Sequence, residues 1–154
     1  MKNVILLFAF VILSSCATHT SFNTFYKENN QNSELAIGLN SSLINSFLPD
    51  EDFEEVKHLL KKAKHYRIMV FSENSSQMDK KLNKFINHSK FDKLVKVKDD
   101  GDNLSLYTLE ENDKIKEIVV QIFDGEDLVL LGLKTNLDYE DLDQILEGNK
   151  VSLH

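Results

Sequence analysis

The chain has 154 residues, of which 25 are acidic and 18 are lysine or arginine, so its formal net charge is −7. This negative balance disfavours binding to nucleic acid and a domain that lies flat on anionic lipid, because both attract positive charge. The chain has a single cysteine, which excludes an internal disulfide, so the fold must depend on its hydrophobic core.

A short apolar run opens the chain behind a positive charge at Lys2. The run from Val4 to Leu13 is shorter than the roughly 20 residues that a membrane-spanning helix needs, so it predicts a signal peptide over residues 1–15. It ends in Leu13-Ser14-Ser15-Cys16, which resembles the lipobox of bacterial lipoproteins. The resemblance implies cleavage before Cys16, a diacylglycerol thioether on its sulfur and a fatty acid such as palmitate on its new amino group.

Acylation of Cys16 would make the membrane a partner of this protein, because two or three acyl chains hold a protein on a bilayer almost permanently. No aspartate follows Cys16, so the inner-membrane retention signal of some Gram-negative bacteria is missing. We therefore expect a lipid anchor in the cell envelope, in the outer membrane and facing the periplasm. The alternative is an ordinary secretory signal that leaves a free thiol, which is a liability in an oxidising compartment.

Residues 16–33 are predicted to be the lipidated cysteine and a tether, and residues 34–154 a single domain. Within the tether, Phe22, Phe25 and Tyr26 have the i, i+3, i+4 spacing of a helix. They predict a short helix from Phe22 to Lys27 that docks on the domain, between polar flanks.

Strands and helices alternate in the first half of the domain. The pattern predicts a strand at 35–39, a short helix after Ser41 or Ser42, a helix that begins at Asp50, a strand at 66–71 and a helix that ends near His88. The helix from Asp50 has an apolar face formed by Phe53, Val56, Leu59, Leu60 and Ala63. The next helix has Ser76 and Asp79 at the spacing of a capping box.

The pattern of the second half predicts four strands from Leu94 to Leu133, joined by short polar turns that force antiparallel pairing. Gly101 and Gly125 supply the positive φ that such turns need. The last two strands are apolar on both faces, which predicts that they are central. A final helix has Asp138 as its cap, with Asp141 at the capping-box position, and ends at Gly148.

These elements predict an α+β fold, in which an antiparallel β-meander of four strands is extended by the two earlier strands and helices pack on one face. The second half also resembles a family of bacterial envelope proteins grouped as domain of unknown function 4252. The resemblance lies in the runs at 94–107, 114–120, 128–131 and 138–146. The family brings no established activity, so it implies the location and fold and leaves the function open.

An acidic rim is predicted where the first and third turns of the meander emerge at the same end of the sheet, separated by two strand spacings or roughly 10 Å. Its carboxylates belong to Asp99, Asp100, Asp102, Asp124, Glu126 and Asp127. They form a weak candidate site for Ca²⁺, which favours several oxygen ligands, or for a basic partner. The alternative is that these residues only stabilise the turns and keep the surface soluble.

No arrangement of catalytic residues emerges from the sequence. The five glycines are scattered singly, so no phosphate-binding loop is formed, and no serine lies in a Gly-x-Ser-x-Gly motif. His58 and His65 are seven residues apart, roughly 10 Å along a helix, which is too far for both to bind one metal ion. We therefore predict no catalytic residues, no cofactor, no metal site beyond the weak rim and no small-molecule substrate.

The function predicted from these features is that of a membrane-anchored envelope lipoprotein, non-catalytic, whose sheet or acidic rim binds another envelope protein. An envelope stress sensor or signalling accessory is the alternative. A Ca²⁺-binding module and an enzyme are further alternatives, and the enzyme is disfavoured because no nucleophile, base and orienting group occur together.

Overall fold

The structure is a computed structural model that describes residues 21–44, 62–99 and 102–148. Several features predicted from the sequence lie outside the described residues. These are the signal peptide, Cys16, the helix from Asp50 apart from its last residues, Asp100 and Gly101.

Six strands and four helices are found in the described residues. In chain order they are α1 (Phe22–Asn29), β1 (Leu35–Asn40), α2 (Ser41–Ile44), β2 (His65–Phe71), α3 (Ser75–His88), β3 (Asp92–Asp99), β4 (Asp102–Glu111), β5 (Lys114–Phe123), β6 (Leu128–Leu137) and α4 (Tyr139–Gly148). The predicted α+β fold is confirmed.

The strands form one antiparallel sheet in the order β1-β2-β6-β5-β4-β3. The predicted meander is confirmed, and so is the central position of β5 and β6. The reason is burial, since strands that are apolar on both faces are stable only where the sheet covers them on both sides. The earlier pair, β1 and β2, extends the sheet beside β6.

The main core lies between one face of the sheet and two helices, α1 and α3. We call this face, which carries Met69, Val119 and Leu130, the first face. Phe22 and Phe25 of α1 and Leu82 of α3 are each at most 2% exposed there. The helix predicted from the spacing of the aromatic residues at 22–26 is thus present and docked. A smaller cluster on the second face, near one end of the sheet, receives Leu142 from α4 and also contains Ala63. The prediction that the helices pack on one face is therefore wrong for α4.

The polar stretch after α1 is more ordered than a tether requires. Residues 30–32 form a 3-10 turn, and Asn29 is fully buried. The Asn29 side chain donates to the carbonyl oxygen of Phe25 at 2.7 Å and accepts from Lys81 Nζ at 2.5 Å. A buried amide needs such partners, and the partner on α3 holds this part of the chain against the domain.

The predicted capping box of α3 is wrong. The helix begins at Ser75 with Asn74 at the cap position, where no side chain caps the helix. The Asp79 carboxylate instead accepts from the amide nitrogens of Gln121 and Asn83. At α4 the predicted arrangement is found, because the backbone N–H of Asp138 donates to Asp141 Oδ2 at 3.2 Å.

Candidate functional site

The start of α1 is held by a carboxylate from the centre of the sheet. Ser21 Oγ donates to Glu117 Oε1 at 2.5 Å, and the backbone N–H of Phe22 donates to Glu117 Oε2 at 2.7 Å. The Ser21 hydroxyl also accepts from the backbone N–H of Asn23 at 3.2 Å. The helix has no acidic residue in its first turn, so Glu117 supplies the negative charge that a helix N-terminus favours.

Contacts further along the helix fix its direction on the sheet. The Phe22 ring lies against Gly132 of β6, and the guanidinium carbon of Arg67 lies 5.3 Å from the centre of the Tyr26 ring. Arg67 Nε also donates to Asn23 Oδ1 at 3.3 Å. Because Ser21 is five positions after Cys16, these contacts fix the point at which the predicted anchor meets the domain.

Two cavities of about 310 and 330 Å³ adjoin Ser21 at this end of the sheet. Their walls carry a group of basic side chains, which we call the cationic end and which consists of Lys64, His65, Arg67, Lys116 and Lys134. Two acidic residues, Glu111 and Glu117, line the same cavities. The Lys116 ammonium donates to Asn136 Oδ1 at 2.5 Å, and the exposed Lys64 and Lys134 face solvent.

The predicted acidic rim lies at the opposite end of the strands. Asp99 pairs with Asp102 at the β3–β4 turn, and Asn103 pairs with Phe123 just before the β5–β6 turn. Both turns therefore emerge at the same end, as predicted. Lys134 of β6 is seven residues from Asp127, and Lys116 of β5 is eight residues from Asp124, so roughly 23–26 Å separates the rim from the cationic end.

Within the rim, Asp124 bonds to its own turn. Its Oδ1 accepts from the backbone N–H groups of Asp127 at 2.6 Å and Glu126 at 2.8 Å. These bonds hold the pKa of the Asp124 carboxyl below its usual value. Among residues 21–44, 62–99 and 102–148 no three acidic, histidine or cysteine side chains are grouped so as to hold a metal ion. Asp100 lies outside these ranges, and Ca²⁺ binding stays a prediction.

The second face of the sheet is apolar across all six strands. Side chains alternate between the faces of a strand, so the registers place the following residues on this face: Leu35, Ile37 and Leu39 of β1, Ile68 and Val70 of β2, Val129 and Leu131 of β6, Val120 and Ile122 of β5, Leu104 and Leu106 of β4, and Val95 and Val97 of β3. Leu35, Val97 and Ile122 are 45%, 49% and 42% exposed. We call this surface the apolar face.

A polar network joins the first face of the sheet to α3. The Tyr107 hydroxyl donates to Gln121 Oε1 at 2.9 Å, and Gln121 Nε2 donates to Asp79 of α3. Lys93 Nζ lies 5.3 Å from the centre of the Tyr107 ring. The network borders a polar cavity of about 240 Å³, and its main effect is to fix α3 to β5, because each member bonds to the next.

The sequence-predicted residues are thus only partly brought together. Cys16, Asp100 and His58 lie outside the described residues, while His65 bonds through Nδ1 to Asn40 Oδ1 at 2.9 Å. The sequence did not predict the cationic end, because its lysines lie far apart in a chain whose net charge is negative. The alternation of apolar residues in β1 and β3 was the available signal for the apolar face.

No described helix is sufficiently long and apolar to span a bilayer. A family model described as a domain of unknown function, DUF4252, matches residues 26–145. No curated protein and no solved structure matches the chain.

Proposed function

Since the chain belongs to the DUF4252 family, whose description assigns no activity, we propose that it is a lipid-anchored envelope lipoprotein that acts as a non-catalytic protein-interaction module. The anchor is the acylated Cys16, in the outer membrane and facing the periplasm. The apolar face is the surface that binds another envelope protein.

The apolar face is the observation that carries this proposal. Val97 and Ile122 are 49% and 42% exposed, and in the register Leu104 of β4 lies between them on the same face. Exposed apolar positions that adjoin one another across a sheet are typical of protein interaction sites, because burying them against a partner removes apolar surface from water.

The position of the anchor supports the same proposal. α1 begins six positions after Cys16, and Glu117 holds its first turn to the centre of the sheet. A domain held in this way stays near the membrane at one strand end, so the apolar face remains available to proteins beside it, while α1 and α3 cover the other face.

Site-specific photocrosslinking in the native cells tests the proposal. A photoreactive residue replaces Val97 on the apolar face or, as the matched control, Lys96, which directly precedes it on the same strand and is on the opposite face. We expect an adduct of discrete mass with another protein from position 97 and none from position 96.

Two outcomes would contradict the proposal. One is the absence of any adduct from position 97. The other is a crosslink from this position to the chain's own residues 45–61, which would mean that the protein covers its own apolar face.

A further inference from the structure

We propose that the outer edge of β1 binds an extended segment of another envelope protein, which pairs with β1 as an additional strand of the sheet. This inference rests on the proposed function, and it names the mode of binding and the chemistry of the partner. The partner segment has apolar side chains at alternate positions, so that it continues the apolar face.

The outer side of β1 has backbone groups that no described strand uses. β1 is the last strand at its side of the described sheet, with β2 as its neighbour. The backbone N–H of Ser41 donates to the carbonyl oxygen of Lys64 at 3.3 Å, in the register of these two strands. Hydrogen-bonded pairs alternate along an antiparallel ladder, so every second residue before Ser41 bonds to β2 and the others point outwards. The outward residues are Ala36, Gly38 and Asn40.

The two edges of the sheet differ in their protection. At the other edge, β3 carries Lys93, Lys96 and Lys98 and has a bulge between Lys93 and Val95. Charged side chains and bulges keep an edge strand from pairing with another chain. β1 has no charged residue and no proline, and its register with β2 is unbroken. The β1 edge therefore lacks the features that would block an added strand.

The side chains beside the β1 edge determine which strand fits. On the first face, Ala36 and Gly38 leave room for an approaching backbone. On the second face, Leu35 is 45% exposed, and Ile37 and Leu39 are half-buried. Side chains alternate between the faces of a strand, so alternate residues of an added strand would lie beside these three, and apolar cross-strand pairs stabilise a sheet. The edge thus favours a segment that is apolar at every second position.

The position of the anchor argues against a second copy of this chain as the partner. Two β1 strands that pair antiparallel are related by a two-fold axis perpendicular to the sheet, which reverses the strand direction of one copy. Ser21 lines the same cavity as His65, which pairs with Asn40 at the end of β1. The joined sheet would therefore carry its two Ser21 residues at opposite ends. Because Ser21 follows Cys16 by five positions, which span at most about 18 Å, both copies cannot stand on the same membrane.

Photocrosslinking at the edge in the native cells tests the inference. Photo-leucine, an analogue that carries a diazirine, replaces Leu35, and the second substitution is Ala36→Pro or, as the matched control, Ala36→Val. Proline removes the outward N–H, whereas valine has a similar size and keeps it. We expect an adduct of discrete mass with another protein in the valine variant. The proline variant should give about tenfold less of it, because a backbone hydrogen bond to the added strand is lost.

The proline variants must fold for this comparison to hold. Proline is tolerated on an edge strand where its missing N–H would face solvent, so Ala36→Pro and Ala36→Val should unfold at the same denaturant concentration. Gly38→Pro and Gly38→Ala form a second pair at the next outward position and should give the same contrast in adduct. This second pair decides the outcome if Ala36→Pro does not fold.

Four results would overturn the inference. They are no adduct from position 35, equal adduct in the proline variant and its control, an adduct with a second copy of this chain, and a crosslink to the chain's own residues 45–61. The crosslink from position 97 separates this failure from that of the proposed function. An adduct with another protein at position 97 alongside any of these results rejects only the role of the β1 edge, whereas no adduct at position 97 contradicts the proposed function itself.

Discussion

The ring of Phe22 occupies the space above Gly132 where any other residue would place its β-carbon. This contact brings α1 close to the centre of the sheet, one residue after the hydrogen bond from Ser21 to Glu117. The helix nearest to the predicted anchor is thus part of the core of the domain.

Replacing Gly132 by alanine should therefore displace α1. The new β-carbon would overlap the Phe22 ring, and overpacking of a core typically costs about 1–3 kcal/mol in the free energy of unfolding. Denaturant unfolding measures the cost. In the control, Gly38→Ala, the β-carbon would lie 2.9 Å from Arg67 Nη1, the end of a flexible side chain. We expect a change below about 1 kcal/mol there, and equal effects of the two changes would contradict this account of the contact.

Glu117→Gln should weaken the attachment of α1. The amide keeps the size of the side chain but loses the charge that strengthens two hydrogen bonds, so we expect a loss of about 1–3 kcal/mol in the free energy of unfolding. Glu111→Gln changes an exposed residue of the adjoining cavity and should alter it by less than about 0.5 kcal/mol. If Ser21→Ala and Glu117→Gln had strictly additive effects, the direct bond between them would be in doubt.

Tyr66 should make the protein less stable in strong alkali. Burial raises the pKa of its phenol above the ordinary value of 10.0, so above pH 10.0 the unfolded chain releases a proton that the folded protein retains. The contribution of this shift to the free energy of unfolding is therefore fully present below pH 10.0 and is lost as the pH rises through the folded pKa. We expect the free energy of unfolding of Tyr66→Phe to decline less steeply. Parallel curves for the two proteins would rule out this contribution.

Asp124 should contribute stability that is lost in acid. The backbone N–H of Asp127, followed by that of Glu126, lowers the pKa of Asp124 below its usual 3.8. Its contribution is present above pH 3.8 and disappears as the pH falls through the folded pKa. The difference in stability between the unchanged protein and Asp124→Asn should therefore shrink below pH 3.8. A difference that stays constant as the pH falls would contradict this contribution.

The sheet was predictable because its signals are local. The apolar runs at 118–120 and 128–131 indicate strands buried on both faces, and they are central in the structure. The short polar turns fix the antiparallel order. The spacing of Phe22 and Phe25 likewise indicates one face of a helix, and both residues are buried.

Contacts between distant residues were not predictable in this way. Ser21 and Glu117 are 96 residues apart, and no local pattern marks their hydrogen bond. The capping box of α3 failed for a similar reason, because Asp79 bonds to Gln121, 42 residues away. The basic residues of the cationic end are spread over several strands, so only the registers bring them together.

Mass spectrometry of the N-terminal peptide, from protein purified out of its own cells, tests the lipoprotein proposal most directly. We predict a chain that begins at Cys16, with a diacylglycerol thioether on the sulfur and an acyl group on the amino nitrogen. An unmodified Cys16, or a chain that retains residues 1–15, would contradict the membrane anchor.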